Sequence, residues 1–223
     1  MIIAIDGPAG SGKTTVGRMV AQALGLRLVD TGLFYRAVTV EAVRRGVDPA
    51  DPNALATMTR ALHIELNTDP TAAAVAPLVW VDGQDVTHKA LDPSIAHELS
   101  LVSQVPQVRE LLCEPQREAG RQDAVVLGRD IGTVIFPQAD YKFFFTASAA
   151  ERLKRRRREL NQTLGAPVSD ALLEAEVDAR DRADSQRAIA PLRPAPDAII
   201  VATEGKTVHQ VYQEVMARLP ASR

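Results

Sequence analysis

The residues best suited to chemistry lie near the start of the chain, in the stretch GPAGSGKTT at 7–15. They match the pattern G-x-x-x-x-G-K-[ST]. Glycines let backbone N–H groups turn toward an anion, and a helix starting at the lysine adds further unpaired N–H groups. The lysine can reach outer phosphates, and the first threonine hydroxyl can bind Mg²⁺. The pattern predicts a phosphate-binding loop, with Thr14 at the metal and a nucleotide contacted by Gly7, Pro8, Ala9, Gly10, Ser11, Gly12, Lys13, Thr14 and Thr15.

The motif leaves the use of that nucleotide open. A glycine turn that only joins a strand to a helix is the simplest alternative. However, the loop lies between an apolar run at 2–5 and a helical pattern that starts at 13, which is the context the motif requires. In that context the nucleotide drives motion, switches a partner or donates a phosphoryl group.

Arginines outside the loop separate these uses. A motor or a switch needs one phosphate site, whereas a kinase must also hold an acceptor and neutralise the charge that develops during transfer. The planar guanidinium suits bidentate phosphate contacts better than an ammonium group does. Arginines occur where neutral residues would serve the fold, and favour a kinase: Arg36, Arg109, Arg129, Arg152, Arg156, Arg180 and Arg187.

Structural explanations stay open for several charges. The run 155–158 is also typical of a partly solvated helix face, Asp178 and Arg182 of an exposed helix pair, and Arg109 of a surface residue. Neighbouring acids and the net charge of −2 disfavour a nucleic-acid patch at 155–158.

Short apolar runs alternate with helical stretches along the chain. Continuous apolar runs are typical of parallel strands covered on both faces, and the alternation predicts a doubly wound α/β domain. Ligands of such domains gather at the carboxyl ends of the strands, so Gly7, Asp30, Arg129 and Asp130 should face one crevice. The predicted strands are 2–5, 26–29, 124–128, 141–147 and 198–202, and the predicted helices are 13–24, 149–164, 170–187 and 207–219.

Two segments depart from this alternation. The interval from 31 to 110 begins with a predicted helix at 33–45 and contains Asp82-Gly83 between apolar residues, a hairpin signal. We interpret it as a helical insertion that carries a small antiparallel sheet. The segment 151–187 is charged and has little apolar content, which favours a mobile lid of two helices joined around Gly165.

Composition limits the compartment and the partners. The 223 residues are 46% hydrophobic, and no run approaches the ~20 apolar residues of a membrane span. The phosphate loop leaves no room for a signal peptide. The single cysteine, Cys113, favours a reducing compartment, and its apolar neighbours favour burial over catalysis. The sequence predicts a cytoplasmic monomer that binds neither nucleic acid nor membranes.

Four stretches carry a resemblance to a known family. DTGLFYRAV at 30–38, GRDIGTVIFPQA at 128–139 and RAIAPL at 187–192, behind the phosphate loop, closely resemble bacterial cytidylate kinase, a family of P-loop nucleoside monophosphate kinases. The resemblance covers nearly the whole chain. It implies an α/β fold with a P-loop NTPase-type parallel sheet flanked by helices, a monophosphate-binding insertion and a helical lid. The implied core is 1–30, 110–148 and 188–223, the insertion is 31–109 and the lid is 149–187.

The resemblance also implies an activity. The implied reaction is reversible, Mg²⁺-dependent transfer of the γ-phosphoryl group from ATP to CMP or dCMP, giving ADP and CDP or dCDP. Two rivals stay open. One is a kinase of the same fold that acts on another small acceptor. The other is a P-loop ATPase or switch protein, which leaves the arginines unexplained.

Roles for single residues follow from the same resemblance. Arg36 and Arg129 look like clamps on the acceptor phosphate, and Tyr35 looks like part of the acceptor base pocket. The residues implied around the cytosine ring are Thr31, Ser100, Arg109 and Asp184. Asp130 and Arg180 are implied near the pentose and the phosphates. Arg152, Arg156 and Arg187 are implied to close over the donor base and the transferring group, and the implied catalytic set is Lys13, Arg156, Arg180 and Arg187.

Three positions depart from an expected pattern or allow two interpretations. Thr31 stands where the family often has serine, so it adds a methyl group to the pocket. Pro115 lies inside a predicted helix that follows Pro106, where it should kink or end the helix. Asp30 is either an outer partner of Mg²⁺ or a structural loop carboxylate.

Overall fold

A parallel sheet of five strands runs through the core of the part of the chain that is described. The computed structural model describes residues 1–71, 79–164, 177, 179, 181–187 and 189–220. The strand order is β2-β6-β1-β7-β8, with β1 at Ile2–Asp6, β2 at Arg27–Asp30, β6 at Ala124–Gly128, β7 at Tyr141–Thr146 and β8 at Ile199–Ala202. Every neighbouring pair is parallel. The carboxyl ends of these strands therefore form one edge.

Helices cover both faces of the sheet. The α-helices are α1 at Lys13–Leu24, α2 at Gly32–Arg45, α3 at Pro52–Arg60, α4 at Thr87–Leu91, α5 at Ala96–Val102, α6 at Pro106–Gly120, α7 at Ala149–Leu164 and α8 at Val208–Met216. A 3₁₀ turn lies at Pro93–Ile95, a π-helical turn lies at Ile131–Ile135, and residues 181–186 are also helical.

Alternate residues of the central strand, β1, belong to two apolar clusters on opposite faces of the sheet. Ile3 and Ile5 pack with α1 and α8, through Val16 and Val211 among others. Ala4 faces the opposite cluster, which includes residues of the π-helical turn. Because both faces of β1 are buried, its sequence is a continuous apolar run. The loop after β1 therefore starts from a rigid base.

A second apolar unit is formed mainly by the part of the chain that connects β2 to α6, together with α6 itself. Helices α2, α3, α5 and α6 share one cluster, and α2 also packs on a small antiparallel sheet of β3 at Ile64–Leu66, β4 at Val79–Val81 and β5 at Gln84–Asp85. Asp82 and Gly83 join β4 to β5 with φ values of 51° and 76°. Two left-handed residues are the requirement of a type I′ turn, so the hairpin prediction is confirmed.

Local signals explain several helix ends. The Asp51 carboxylate accepts hydrogen bonds from the N–H groups of Asn53 and Ala54, and Pro52 fills the first position of α3. Thr207 and Gln210 form a capping box at the start of α8. Both caps satisfy backbone N–H groups at the start of a helix, so both stabilise the fold.

The structure corrects some sequence predictions. Of the two effects expected of Pro115, a kink or an end of the helix, the second does not occur, because α6 continues to Gly120. Strand β2 is shifted by one residue to 27–30, β7 and β8 are each one residue shorter than predicted, and α8 ends at 216 rather than 219. The predicted loop around Gly165 and most of the predicted helix 170–187 lie outside the described residues. Within the ranges described, no helix is long and apolar enough to cross a membrane.

Candidate active site

The carboxyl ends of β1, β2 and β6 open into a cavity of about 290 Å³. The phosphate loop and the start of α1 form one wall, and residues after β2 and β6 form another. Helix α7 and the chain near 184–187 close a third side. Its lining side chains and backbone are contributed by Ala9, Gly10, Gly12, Lys13, Thr14, Thr15, Asp30, Thr31, Gly32, Tyr35, Arg36, Ser103, Arg109, Leu127, Gly128, Arg129, Asp130, Arg152, Arg156, Val177, Asp184 and Arg187.

The phosphate loop is shaped by a glycine with little room around it. Gly7 has φ of +146°, and a Cβ placed there would lie 2.4 Å from the carbonyl oxygen of Phe145. Only glycine fits this close approach to strand β7. The loop then ends at Gly12, the N-cap of α1 with φ of 89°. The sequence motif and the local backbone geometry therefore agree.

Lys13 is buried against the loop. Its Nζ donates to the carbonyl oxygens of Gly7 and Pro8, each at 2.7 Å, and to Ser11 Oγ at 3.3 Å. Burial lowers the pKa of this ammonium well below its usual value, and the nearby Arg129 guanidinium lowers it further. A desolvated cation interacts more strongly with an incoming phosphate than a solvated one does.

A hydroxyl and a carboxylate stand beside the loop. Thr14 Oγ1 donates to Asp30 Oδ2 at 3.3 Å, and Asp30 Oδ1 accepts from the N–H of Gly32 at 3.0 Å. Asp30 therefore holds the start of α2 and also faces the threonine hydroxyl. The donor set is oxygen only, which suits Mg²⁺. The described residues contain no group of three or more His, Cys, Asp or Glu that could hold a metal ion.

Charged side chains alternate along the opposite wall. Asp130 Oδ2 accepts from Arg109 Nη2 at 2.7 Å, and Asp130 Oδ1 lies 3.6 Å from Arg187 Nη2. Asp184 connects to Arg187 Nη1 at 3.4 Å and to Arg129 Nε at 2.8 Å. Buried charges persist when they are paired in this way. The network brings together residues that are far apart in sequence and directs several guanidinium groups at the cavity.

Tyr35 contributes an aromatic, uncharged side chain to the cavity wall. Burial raises the pKa of Tyr35 to about 12, so its hydroxyl keeps its proton at neutral pH. The guanidinium carbon of Arg109 lies 5.1 Å from the centre of the Tyr35 ring. Thr31 Oγ1 donates to the carbonyl of Leu127 at 2.8 Å, which leaves its lone pairs for an acceptor role.

Helix α7 brings arginines to the side of the cavity that the phosphate loop forms. Arg152 pairs with Asp181 and donates to the carbonyl oxygens of Ala9 at 3.3 Å and Ala147 at 3.2 Å. Arg156, four residues later on the same face, also lines the cavity. Arg155 donates to Thr203 Oγ1 at 2.9 Å and Thr203 O at 2.7 Å, which explains one member of the basic run as a packing residue.

Not every predicted site residue is found in the wall of the cavity among the residues that the structure describes. Ser100 is not part of the cavity wall; its carbonyl accepts from Gln104 Nε2 at 2.9 Å, and Ser103, one turn later, lines the cavity instead. Arg180 lies outside the described residues. Arg36 lines the cavity, and its Nη1 donates to the carbonyl of Ala90 at 2.6 Å. Gly7, Pro8 and Ser11 shape the loop without lining the cavity.

Cys113 is half-buried, away from the cavity wall. Its thiol donates to the carbonyl of Arg109 at 3.2 Å. Burial raises the pKa of the thiol above its usual value. A protonated, partly covered thiol is a poor nucleophile.

Sequence reasoning missed Asp6. This residue ends β1, and its buried carboxylate accepts from the N–H groups of Ile131 at 2.9 Å and Gly132 at 2.8 Å. The signal was present, because a single acidic residue closes the apolar run IIAI. Burial raises the pKa of Asp6 to about 6, against the lowering effect of the two N–H groups.

The raised pKa of Asp6 predicts a pH-dependent cost to stability. The pKa of Asp6 in the folded protein, about 6, lies above its ordinary value of 3.8, so the stabilising contribution is complete below pH 3.8 and is lost as the pH rises through 6. Relative to Asp6→Asn, the unfolding free energy of the wild type should fall by roughly 1–2 kcal/mol between pH 5 and pH 8. Urea unfolding of both proteins at the two pH values measures this difference. A constant difference would contradict the raised pKa.

Comparisons with known proteins agree on one family. The family model for cytidylate kinase matches residues 3–221. A cytidylate kinase of Pelotomaculum thermopropionicum is 44% identical over 222 residues, which cover 99% of this chain and 96% of that protein. A cytidylate kinase of Rhodococcus opacus is 46% identical over 207 residues, which cover 91% of this chain and 87% of that protein.

A longer relative also matches. The bifunctional pantoate ligase/cytidylate kinase of Synechococcus elongatus is 45% identical over 217 residues, which cover 96% of this chain. The chain spans 41% of the length of that relative.

Proposed function

The chain belongs to the cytidylate kinase family, and from that membership we propose that it transfers the γ-phosphoryl group of ATP to CMP or dCMP, giving ADP and CDP or dCDP. The observation that carries the proposal is the joint position of two anion sites. The phosphate loop with Lys13 and the arginine network around Asp130 and Asp184 line the same cavity. A protein that only hydrolyses or holds a nucleotide needs the first site alone.

The acceptor side has the groups that a cytidine monophosphate requires. Arg36 and Arg129 supply guanidinium groups for the acceptor phosphate, and the buried ring of Tyr35 supplies an apolar surface for the base. Thr31, Arg109 and Asp184 offer a hydroxyl, a guanidinium and a carboxylate to the polar edge of cytosine. Ser103 stands at the cavity wall and joins this set. Ser100 and Arg180 stay predictions from the resemblance.

Mg²⁺ is part of the proposal because the chemistry of the site suits it. Thr14 would hold the ion, with Asp30 next to it as an outer partner of the hydroxyl. When bound, the ion neutralises charge on the phosphate oxygens. Few protein ligands are needed, because Mg²⁺ keeps several waters and binds substrate phosphates directly.

The residues of the chain act by placement and charge. A loose phosphoryl-transfer transition state needs in-line positioning and neutralisation of its equatorial oxygens more than it needs a strong base. Lys13, Arg187 and Arg156 of α7 all line the same cavity, and we assign all three to the transferring phosphoryl group. These cations surround the space where charge develops. Closure of the segment 149–187 would exclude water and suppress hydrolysis of ATP.

An acceptor panel tests the proposal. ADP formation is measured with ATP and Mg²⁺ in the presence of CMP, dCMP, UMP, AMP or no acceptor. Turnover should be strongest with CMP and dCMP and near zero without an acceptor. Highest turnover with another monophosphate would keep the kinase but replace the assigned pocket. Equal ADP formation without an acceptor would overturn the kinase assignment.

The division of the chain belongs to the same proposal. The core is 1–30, 110–148 and 188–223, the acceptor-binding insertion is 31–109, and the lid is 149–187. The separate apolar clusters of the sheet and of helices α2, α3, α5 and α6 support the boundary at 30/31. The second cluster also includes Leu112, which lies beyond the boundary at 109/110. The cytoplasmic location and the monomeric state are predictions of the sequence alone.

A further inference from the structure

We propose that Asp6 is a positioning residue for the acceptor side of the cavity, although it belongs to the strand that leads into the donor loop. It acts by holding the π-helical turn at Ile131–Ile135, which fixes Arg129 and Asp130. The inference rests on the proposed function, and it adds a residue to which neither the motif nor the resemblance assigned a role.

Both oxygens of the Asp6 carboxylate are engaged. Each oxygen of Asp6 accepts a different backbone N–H, from Ile131 at 2.9 Å and from Gly132 at 2.8 Å. The first N–H groups of a helical turn have no partner inside the turn. Asp6 is 3% exposed, so water does not replace it. The carboxylate therefore fixes the start of the turn.

Asp130 connects the turn to the charged wall of the cavity. The carbonyl of Asp130 accepts from the N–H groups of Val134 at 2.8 Å and Ile135 at 3.2 Å. The same residue places its carboxylate on Arg109 at 2.7 Å. Because backbone and side chain of Asp130 are both engaged, a shift of the turn moves the charged wall. Arg129 directly precedes Asp130 in the chain, so a shift of the turn moves Arg129 as well.

The chain is closely packed just before the turn. Asp6 is the register partner of Gly128 in the sheet. A Cβ at Gly128 would lie 2.6 Å from Ile131 Cδ1 and 2.8 Å from Thr31 Oγ1. The chain thus folds tightly back on itself between Gly128 and Ile131, and Asp6 secures the point of return.

The far end of the turn is held by a cation. Arg117 of α6 donates through Nε to the carbonyl of Ile135 and through Nη2 to that of Val134, both at 3.1 Å. An anion at the first N–H groups and a cation at the last carbonyls match the polarity of a helical turn. The turn is therefore fixed at both ends by side chains from neighbouring elements.

The deciding experiment separates the two substrates. In Asp6→Asn the amide cannot accept both N–H groups, because its NH₂ faces one of them. The KM for CMP should rise about tenfold, as expected when a buried N–H loses its partner, while the KM for ATP changes less than about twofold. A residue that only supports the fold next to Gly7 would raise both constants together, and that result would overturn the proposal.

A double-mutant cycle provides a second readout. If Asp6 acts through Arg129, the effect of Asp6→Asn on the KM for CMP should largely disappear in an Arg129→Ala background. Full additivity would contradict this route. Asp140→Asn is the matched control, since Asp140 Oδ2 accepts from the N–H of Ile2 at 2.7 Å, at the opposite end of the same strand. Its kinetic constants should stay at wild-type values.

Hydrogen exchange keeps the test independent of the reaction. Amide protection of Ile131 and Gly132 should fall in Asp6→Asn and stay unchanged in Asp140→Asn. If the wild type phosphorylates no cytidine monophosphate, the proposed function fails, and the exchange data still decide whether Asp6 holds the turn.

If Asp6→Asn does not fold, Arg117→Gln loosens the other end of the turn. This variant should raise the KM for CMP without changing the KM for ATP. Unchanged constants in that variant would refute the role of the turn.

Discussion

Lys13→Ala is expected to lower kcat by a factor of about 10² to 10³ or more, with the fold preserved. The ammonium is nearly desolvated, and its Nζ contacts three oxygens of the loop that surrounds the phosphate site. Alanine removes the charge that would follow the transferring phosphoryl group. The loop glycines and α1 stay in place, because the apolar side chains Val16 and Val20 anchor the helix.

Measurement of kcat with saturating ATP and CMP tests this expectation, and thermal unfolding reports on the fold. Lys206→Ala is a suitable control, since Lys206 Nζ donates to Glu214 Oε2 at 2.6 Å and lies outside the cavity. It removes the same charge from the protein and should leave kcat within about twofold. Near-normal turnover of Lys13→Ala would contradict the assignment of the phosphate loop to catalysis.

The central sheet could be predicted because its signals are local. The runs at 2–5 and 124–128 are continuous and apolar, and both faces of the strands they form are buried. The hairpin at Asp82-Gly83 was equally local. Pro115 shows the limit: a proline weakens a helix, but packing of Leu112 and Gln116 on either side outweighs that preference in α6.

The cavity wall could be predicted only in part. Arg129 and Asp130 were found because they directly follow a strand, and the topology places all strand ends together. The pairing of Asp130 with Arg109 was not foreseen, since it depends on the angle at which α6 crosses the sheet. Ser103 lines the cavity and Ser100 does not. Which of the two faces the cavity depends on the rotation of α5 about its axis, and the local sequence does not determine that rotation.

Asp6 was missed for a related reason. Its partners are backbone N–H groups, and they lie 125 and 126 residues further along the chain. The acidic residue that closes the apolar run IIAI is visible in the sequence, but its backbone partners are not. Only the parallel register of β1 and β6, which brings Asp6 next to Gly128, makes the contact visible.

Arg129→Ala is expected to raise the KM for CMP by about 10- to 100-fold and to leave the KM for ATP within a few-fold of wild type. Hydrogen bonds to charged groups contribute about 1.5–3 kcal/mol each, which corresponds to this range. Arg129 lines the cavity, and its side chain is oriented by Asp184, whose Oδ2 accepts from Arg129 Nε at 2.8 Å, and by the carbonyl of Gly128, which accepts from Arg129 Nη1 at 3.3 Å. The guanidinium is thus oriented before the acceptor arrives, and its loss should weaken acceptor binding more than donor binding.

Steady-state kinetics with each substrate varied in turn measures the two constants, and Arg129→Lys separates charge from geometry. Lysine keeps the positive charge but lacks the planar fork, so it should restore only part of the affinity. Arg121→Ala is the control, because Arg121 pairs with Glu118 on the surface and lies outside this cavity. An unchanged KM for CMP in Arg129→Ala would remove Arg129 from the acceptor site. Full recovery in Arg129→Lys would reduce its role to charge alone, and the bidentate contact would then have to come from another arginine of the network.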